Sequence, residues 1–213
     1  TERLLTELKW VFGTEHPVLI YPSSATGAWE AALTNTLSPG DRVLSFEQGF
    51  FAGKWATVAE RFGLDVQRES WEPRRAVAAD AVIDVLRADT QKAIKAVLLV
   101  HNETSTGVTS DVKAIGTAMR ASGHPALLFV DTVSSLATTE FRHDAWGIDV
   151  TVSGSQKGLT LPPGLSFVAI GPRALEAHRV AKLPRSYWDW DNQLTFNERG
   201  FFPYTPATNL LYG

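Results

Sequence analysis

Apolar residues recur along this chain with two different periods. Leu4, Leu5, Leu8, Val11 and Phe12 follow helical spacing and Gly13 follows as a stop, so residues 2–12 read as an amphipathic helix. Beyond it, short apolar runs of strand length alternate with longer stretches of helical spacing. The runs 18–21, 42–46, 64–69, 96–101, 126–131, 149–153 and 166–170 read as strands, and several are apolar throughout, as strands covered on both faces should be. Between most of them, residues 27–37, 52–61, 77–86, 111–121 and 173–180 read as helices. Alternating strands and helices with short connections predict an α/β fold, a mostly parallel sheet flanked by helices. Residues 183–213 lose this rhythm and are rich in Trp, Phe, Tyr and Pro, which predicts irregular, interface-forming structure. No internal repeat, low-complexity segment or linker interrupts the pattern.

Composition narrows the class. With 213 residues, 44% hydrophobic and 20% charged, the chain can bury a sizeable core. The net charge of -3 comes with no basic block, so nucleic acid is not an expected partner. The chain has no cysteine, which removes disulfides, thiolate metal sites and cysteine nucleophiles, and no metal is expected. A reducing compartment fits, and the cytoplasm is the expected location, with the peroxisome as the alternative for a eukaryotic source. No apolar run approaches the roughly 18 residues a membrane span needs, so no membrane partner is expected. The chain starts at Thr1 with no signal-peptide pattern and stops just after Leu210, Leu211 and Tyr212, and it is read as an internal piece of a longer protein.

In an open α/β sheet, ligands bind beyond the carboxyl ends of the strands, so the residues just after each strand carry the candidate chemistry. After 18–21 come Ser23, Ser24, Ala25, Thr26 and Gly27, small and hydroxylated residues opening a helix, suited either to a phosphate or to ordinary capping. After 42–46, Gly49 and Gly53 bound a loop with two adjacent aromatics, Phe50 and Phe51, readable as core or as a ring plate. Asn102 to Gly107 is a polar run that suits a ligand or a turn. Asp131 ends an apolar strand, either as a helix cap or facing a buried cation, and Lys157 lies in a short loop between two apolar strands. A phosphate cradle, an aromatic plate, a strand-end carboxylate and a loop amine together are the parts that hold pyridoxal 5'-phosphate. A nucleotide site would explain only the first, and neither a dinucleotide-type Gly pattern nor a Walker Gly-Lys-Ser/Thr occurs.

At these residues the sequence resembles the class V, fold-type I pyridoxal-phosphate aminotransferases, and among them the serine-glyoxylate and alanine-glyoxylate enzymes. The resemblance rests on His101-Asn102-Glu103-Thr104-Ser105-Thr106-Gly107, Val130-Asp131-Thr132-Val133-Ser134-Ser135-Leu136 and Gly154-Ser155-Gln156-Lys157-Gly158-Leu159, in that order. Tyr21 to Leu33, the Ser38-Pro39-Gly40-Asp41 turn and Phe202 to Thr208 extend it over nearly the whole chain. It implies that Lys157 carries the cofactor aldehyde and then moves the substrate proton, and that Asp131 pairs with the pyridine nitrogen. It implies also that Phe51 stacks on the ring, Val133 packs its other face, and Thr104 bonds the ring hydroxyl. Ser24, Thr26 and Gln156 would bind the phosphate, with Thr205, assisted by Tyr204, reaching the phosphate of a neighbouring subunit in a homodimer. Ala25 stands in this cradle where relatives commonly have Gly.

The implied reaction moves the amino group of serine, or of alanine, to glyoxylate, giving glycine and the 2-oxo acid. Serine is favoured on Gly27-Ala28-Trp29-Glu30 and Tyr187-Trp188-Asp189-Trp190. The alternatives are another class V aminotransferase with a different donor or acceptor, and a non-catalytic α/β interaction module. Residues 1–213 would then be an incomplete cofactor-binding large domain, inactive by itself, with the N-terminal segment and C-terminal small domain outside it.

Overall fold

The computed structural model describes residues 1–212. Its strands are β1 (Val18–Tyr21), β2 (Arg42–Glu47), β3 (Asp65–Ser70), β4 (Ile94–Val100), β5 (Asn102–Glu103), β6 (Val108–Thr109), β7 (Leu127–Asp131), β8 (Val150–Gly154) and β9 (Ser166–Ile170). Its helices are α1 (Glu2–Phe12), α2 (Ala25–Thr36), α3 (Phe50–Arg61), α4 (Ala79–Ala88), α5 (Val112–Ser122), α6 (Pro172–His178), α7 (Trp190–Asn197) and α8 (Thr208–Leu211). Seven strands form one sheet in the order β1-β9-β8-β7-β4-β2-β3, and β5 and β6 pair as a small antiparallel ladder.

All strands of the large sheet run the same way except β9, which is antiparallel to both β8 and β1. The reason lies in the connection. A parallel return needs a crossover of about a dozen residues or more, usually a helix; the 155–165 segment is shorter than that and carries no helix, so the chain turns straight back. The loop that carries Lys157 is therefore the one non-crossover link between adjacent strands of this sheet.

Alternate residues on each strand face opposite sides, and both sides are apolar. Val18, Ile20, Val97, Leu99, Leu128 and Val130 pack with Leu8 and Phe12 of α1, Val82 and Leu86 of α4 and Ile115 and Met119 of α5. Leu19, Tyr21, Leu98, Val100, Leu127 and Phe129 pack with Trp29 and Leu33 of α2, Trp55 of α3 and Trp190 of α7. The result is three layers, helix, sheet and helix, as expected.

Two expectations change. The 183–213 stretch is not irregular throughout: α7 forms there, capped by the Asp189 side chain accepting from the Asn192 N–H at 3.0 Å, and α8 follows. Its apolar side chains are spent locally, Trp190 being fully buried, so helical packing was hidden under an aromatic-rich composition. Phe50 and Phe51 form the first turn of α3 rather than a loop, because Gly49 supplies the entry. Within the polar run 102–107, residues 104–107 form a turn, which closes the β5-β6 ladder with Gly107 at φ 74°.

Gly116 sits inside α5, where alanine would ordinarily be the better residue by roughly 0.5–1 kcal/mol. Here an added Cβ would lie 1.9 Å from the Trp146 carbonyl oxygen, a backbone atom. Gly116→Ala is expected to destabilise the protein by about 2 kcal/mol, the scale of core overpacking, read as a lower denaturation midpoint. An unchanged or raised midpoint would contradict this close approach.

Candidate active site

The carboxyl ends of β1, β8, β7, β4 and β2 lie side by side along one sheet edge, separated only by the antiparallel β9 between the first two. The residues that follow those strands are Ser24 to Thr26, Gln156 and Lys157, Asp131 to Val133, Thr104, and Phe51. The topology thus brings these sequence-predicted candidates to one edge, and a set of specific contacts ties their loops together.

Asp131 is the most constrained member. It is buried, with the Trp29 indole N–H donating to Oδ2 at 2.7 Å and the Val133 N–H donating to Oδ1 at 2.8 Å. Residues 132–138 form turns rather than a helix, so the helix-cap alternative is set aside: the carboxylate closes a local turn and reaches a neighbouring helix instead. Burial raises its pKa to about 6; the two hydrogen bonds oppose this, and nearby Glu103 adds to it. No cation among the described residues offsets that burial.

Trp29 was not among the sequence candidates. Its ring stacks on Trp55 at 5.5 Å with 13° between planes, so α2 and α3 together hold the indole that meets Asp131. A Trp whose N–H must find a partner when buried was the only signal available.

Ser24 is the N-cap of α2 by backbone position, yet its side chain makes no capping bond. The ordinary Ser-cap alternative therefore does not account for its exposed hydroxyl. Ser23 is the residue already engaged, its Oγ lying 2.7 Å from that of Ser166. Ala25 is buried against the end of β8, its Cβ 3.6 Å from where a Gly154 side chain would begin. Its methyl thus fits because position 154 is glycine. That same glycine lets Gln156 fold back, since a Cβ there would come within 2.8 Å of Gln156 Oε1.

Lys157 is exposed, and its ammonium has no hydrogen-bond partner among the described residues. Its loop is nevertheless fixed. The Ser155 hydroxyl donates to the Pro162 carbonyl at 2.7 Å, the Leu161 N–H donates to the Ser155 carbonyl at 3.1 Å, and Gly158 lies against the backbone of 136–137 and the Thr138 side chain, where a Cβ would meet the Leu136 oxygen at 2.1 Å. Ala137 and Thr160, one on each of these facing loops, adopt left-handed φ of 61° and 58°, at about 1 kcal/mol each for non-glycine residues. The loop that bears the amine is thereby seated on the segment that follows Asp131.

The Thr104 hydroxyl pairs with that of Ser134, joining the loops after β4 and β7. Phe51 is half-buried and meets the exposed Phe50 edge-on at 5.2 Å, so neither is plain core. Tyr204 stacks on Tyr187 at 4.6 Å, and its hydroxyl donates to the Ser186 carbonyl at 3.3 Å; the Thr205 side chain is exposed beside it. Trp188 leans on Gly27, whose Cβ would come 2.6 Å from the indole, and donates its N–H to Glu30 at 3.2 Å. The two segments that favoured serine as donor are therefore one packed unit.

The donor set fits pyridoxal phosphate. A buried carboxylate without a cation suits a protonated ring nitrogen, two partner-free hydroxyls at the start of a twelve-residue helix suit a phosphate, and an exposed amine on a fixed loop suits an aldehyde.

Comparison with known proteins shows the family. Residues 6–184 match the model of the aminotransferase class-V family. The chain is 47% identical over 200 residues to an L-aspartate-glyoxylate aminotransferase of Paracoccus denitrificans, covering 94% of this chain and 50% of that protein. It is also 47% identical to a serine-glyoxylate aminotransferase of Methylorubrum extorquens, covering all of this chain and 54% of that one. Among solved structures, an alanine-glyoxylate aminotransferase of Nostoc superposes with a TM-score of 0.90 at 32% identity, over 99% of this chain and 56% of that one. The chain spans about half the length of the curated relatives it matches. With the matched model running from α1 past α6 and the same layered sheet in its structural neighbour, this chain belongs to the class V aminotransferases, a pyridoxal phosphate-dependent family of fold-type I.

Proposed function

We propose that this chain is the cofactor-binding large domain of a pyridoxal phosphate-dependent aminotransferase that uses glyoxylate as amino acceptor. The observation that carries the reading is Asp131: a fully enclosed carboxylate, held by Trp29 and Val133, with no cation offsetting its burial among the described residues. Glyoxylate is named in the curated relatives at 47% identity, and it is the acceptor common to them. Serine is the proposed donor, on the packed unit of Gly27 to Glu30 with Trp188; alanine and, from the Paracoccus relative, aspartate are the competing donors.

The bound cofactor supplies an electron sink for the charge left when the substrate α-carbon loses its proton. The residues of this chain do the rest. Lys157 offers the amine that holds the aldehyde and, once freed, moves the proton at the α-carbon. Asp131 would keep a proton on the ring nitrogen through its buried carboxylate. Phe51 and Val133 would hold the ring between them, and Thr104 would orient it through its hydroxyl, which pairs with that of Ser134. Ser24, Thr26 and Gln156 hold the phosphate at the start of α2, helped by the helix dipole. Thr205 and Tyr204 belong to a surface with exposed Phe201 and Tyr187, supporting a homodimer in which that surface meets a second copy. No helix among the described residues is long and apolar enough to cross a membrane, and a cytoplasmic setting is part of this proposal.

Borohydride reduction of the intact protein with its cofactor, followed by peptide mapping, is expected to place the pyridoxyl group on Lys157. A label on Lys54 or Lys182 would sink the assignment. With serine, alanine and aspartate offered separately alongside glyoxylate, serine is expected to give the highest kcat/KM, and another ranking would replace the donor. A fully active monomer in sedimentation would remove the dimer.

Asp131→Asn is expected to lower turnover about a hundredfold, two factors of ten at about 1.4 kcal/mol each. It should also change stability in the cofactor-free protein. Burial raises the Asp131 pKa from 3.8 to about 6, so the folded state holds its proton more tightly than the unfolded chain. The stability from that proton is complete below about pH 4 and is lost as pH rises through about 6. The unfolding temperature of the wild type, measured relative to Asp131→Asn, should therefore fall between pH 4 and 7. A difference that does not vary with pH would contradict the enclosed carboxylate.

A further inference from the structure

Glu103 is a second enclosed carboxylate at the same edge, fully buried, and unlike Asp131 it is saturated with donors. Its Oε2 accepts from the Phe51 N–H at 3.0 Å and the Ala52 N–H at 3.1 Å. Its Oε1 accepts from the Ser105 N–H at 3.1 Å and the Ser105 hydroxyl at 2.8 Å. That hydroxyl in turn accepts from the Phe50 N–H at 3.0 Å. Three successive N–H groups in the first turn of α3, which have no partner within their own helix, are thus held by the loop after β4.

The approach is tight and specific to glycine at one position. A Cβ on Gly49 would lie 2.4 Å from Glu103 Cγ and 2.6 Å from its Cδ, so any other residue there would push the carboxylate out. Gly49 has an extended backbone that other residues adopt, so space rather than conformation requires glycine.

We propose that Glu103 is a positioning residue for cofactor binding: its carboxylate clamps the start of α3 to the β4 loop and so sets the Phe51 ring at a fixed height over the site shared with Thr104. This rests on the cofactor reading above. Glu103 touches neither ring nor substrate in this scheme; it acts through the backbone of Phe51. One carboxylate satisfies four donors with no hydrogen of its own, whereas an amide has one acceptor oxygen and turns its NH₂ toward N–H groups. Charge, as well as length, is therefore needed. A carboxylate at the N-terminus of a helix is also favoured by the helix dipole.

The test is a double-mutant cycle on pyridoxal phosphate affinity, followed by tryptophan fluorescence in the intact protein, with Glu103→Gln, Phe51→Ala and the double variant. The unfolding temperature of each cofactor-free protein is measured alongside. Glu103→Gln is expected to weaken cofactor binding about tenfold, or about 1.4 kcal/mol. The double variant should bind no more weakly than about twofold below Phe51→Ala alone, because nothing is left for Glu103 to position. Losses that multiply in the double variant would overturn the proposal. So would a lower unfolding temperature with unchanged affinity, the mark of a purely structural clamp. If Glu103→Gln does not fold, Gly49→Ala, which displaces the same carboxylate, replaces it in the cycle with the same expectations. A wild-type protein that takes up no pyridoxal phosphate would instead remove the cofactor reading itself, a result separate from any of these.

Discussion

Parallel strands can be joined only by crossovers, and that constraint organises everything at the site. Six strands run the same way, and the links from β1, β2, β3 and β4 return to the start edge through α2, α3, α4 and α5, each delivering its next loop to the opposite edge. Residues separated by more than a hundred positions in sequence, Trp29 and Asp131, become hydrogen-bonded neighbours because both follow from strands that end there. The exception is as informative as the rule. Where β8 turns back into β9 without a crossover, the connection has no helix to bury it, and an exposed lysine on a pinned loop results.

The edge holds two enclosed carboxylates with opposite bookkeeping. Glu103 is surrounded by four donors, so its charge is neutralised by oriented N–H and O–H dipoles and serves to lock loops. Asp131 has two donors and a raised pKa, and Glu103 is a like charge acting on it. A saturated carboxylate is locked in place by its donors, while one with fewer donors keeps the capacity to accept a further hydrogen bond. The distinction depends on the number of donors each one meets, a property of tertiary packing.

This explains what could be read before any coordinates. The sheet, its helices and the strand-end positions of Lys157, Asp131, Thr104 and Phe51 follow from periodicity, because β4, β7, β8 and β9 are buried along nearly their whole length and α1, α4 and α5 each carry one apolar face. The α7 helix could not be read this way: its apolar residues are few, and what makes it helical is the Asp189 cap and the burial of Trp190 against α2 and α6 neighbours. Trp29 and Glu103 were hidden for a related reason. Trp29 looks like any core residue of α2, and Glu103 like a solvated turn residue, until the fold places an aspartate beside the one and a helix start beside the other. Gly49 carries the same lesson, since its requirement comes from a side chain more than fifty positions away.

The alternative to an external cation for Asp131 is an internal one, and the structure offers a nearby candidate in His101, whose backbone N–H donates to the Asp131 carbonyl at 2.9 Å. Its ring, however, is buried against Phe141 and Trp146 at 5.8 and 6.2 Å. Burial lowers its pKa to about 4, with Asp111 opposing only in part, so it is neutral where Asp131 titrates. His143 is likewise buried beside Thr151 and lowered to about 4, and it too is neutral there. At neutral pH these imidazoles act as packing rings rather than counter-ions. Among the described residues Asp131 is thus left with the Trp29 and Val133 N–H groups and no cation, and a protonated ring nitrogen is the partner that the proposed cofactor would bring to it.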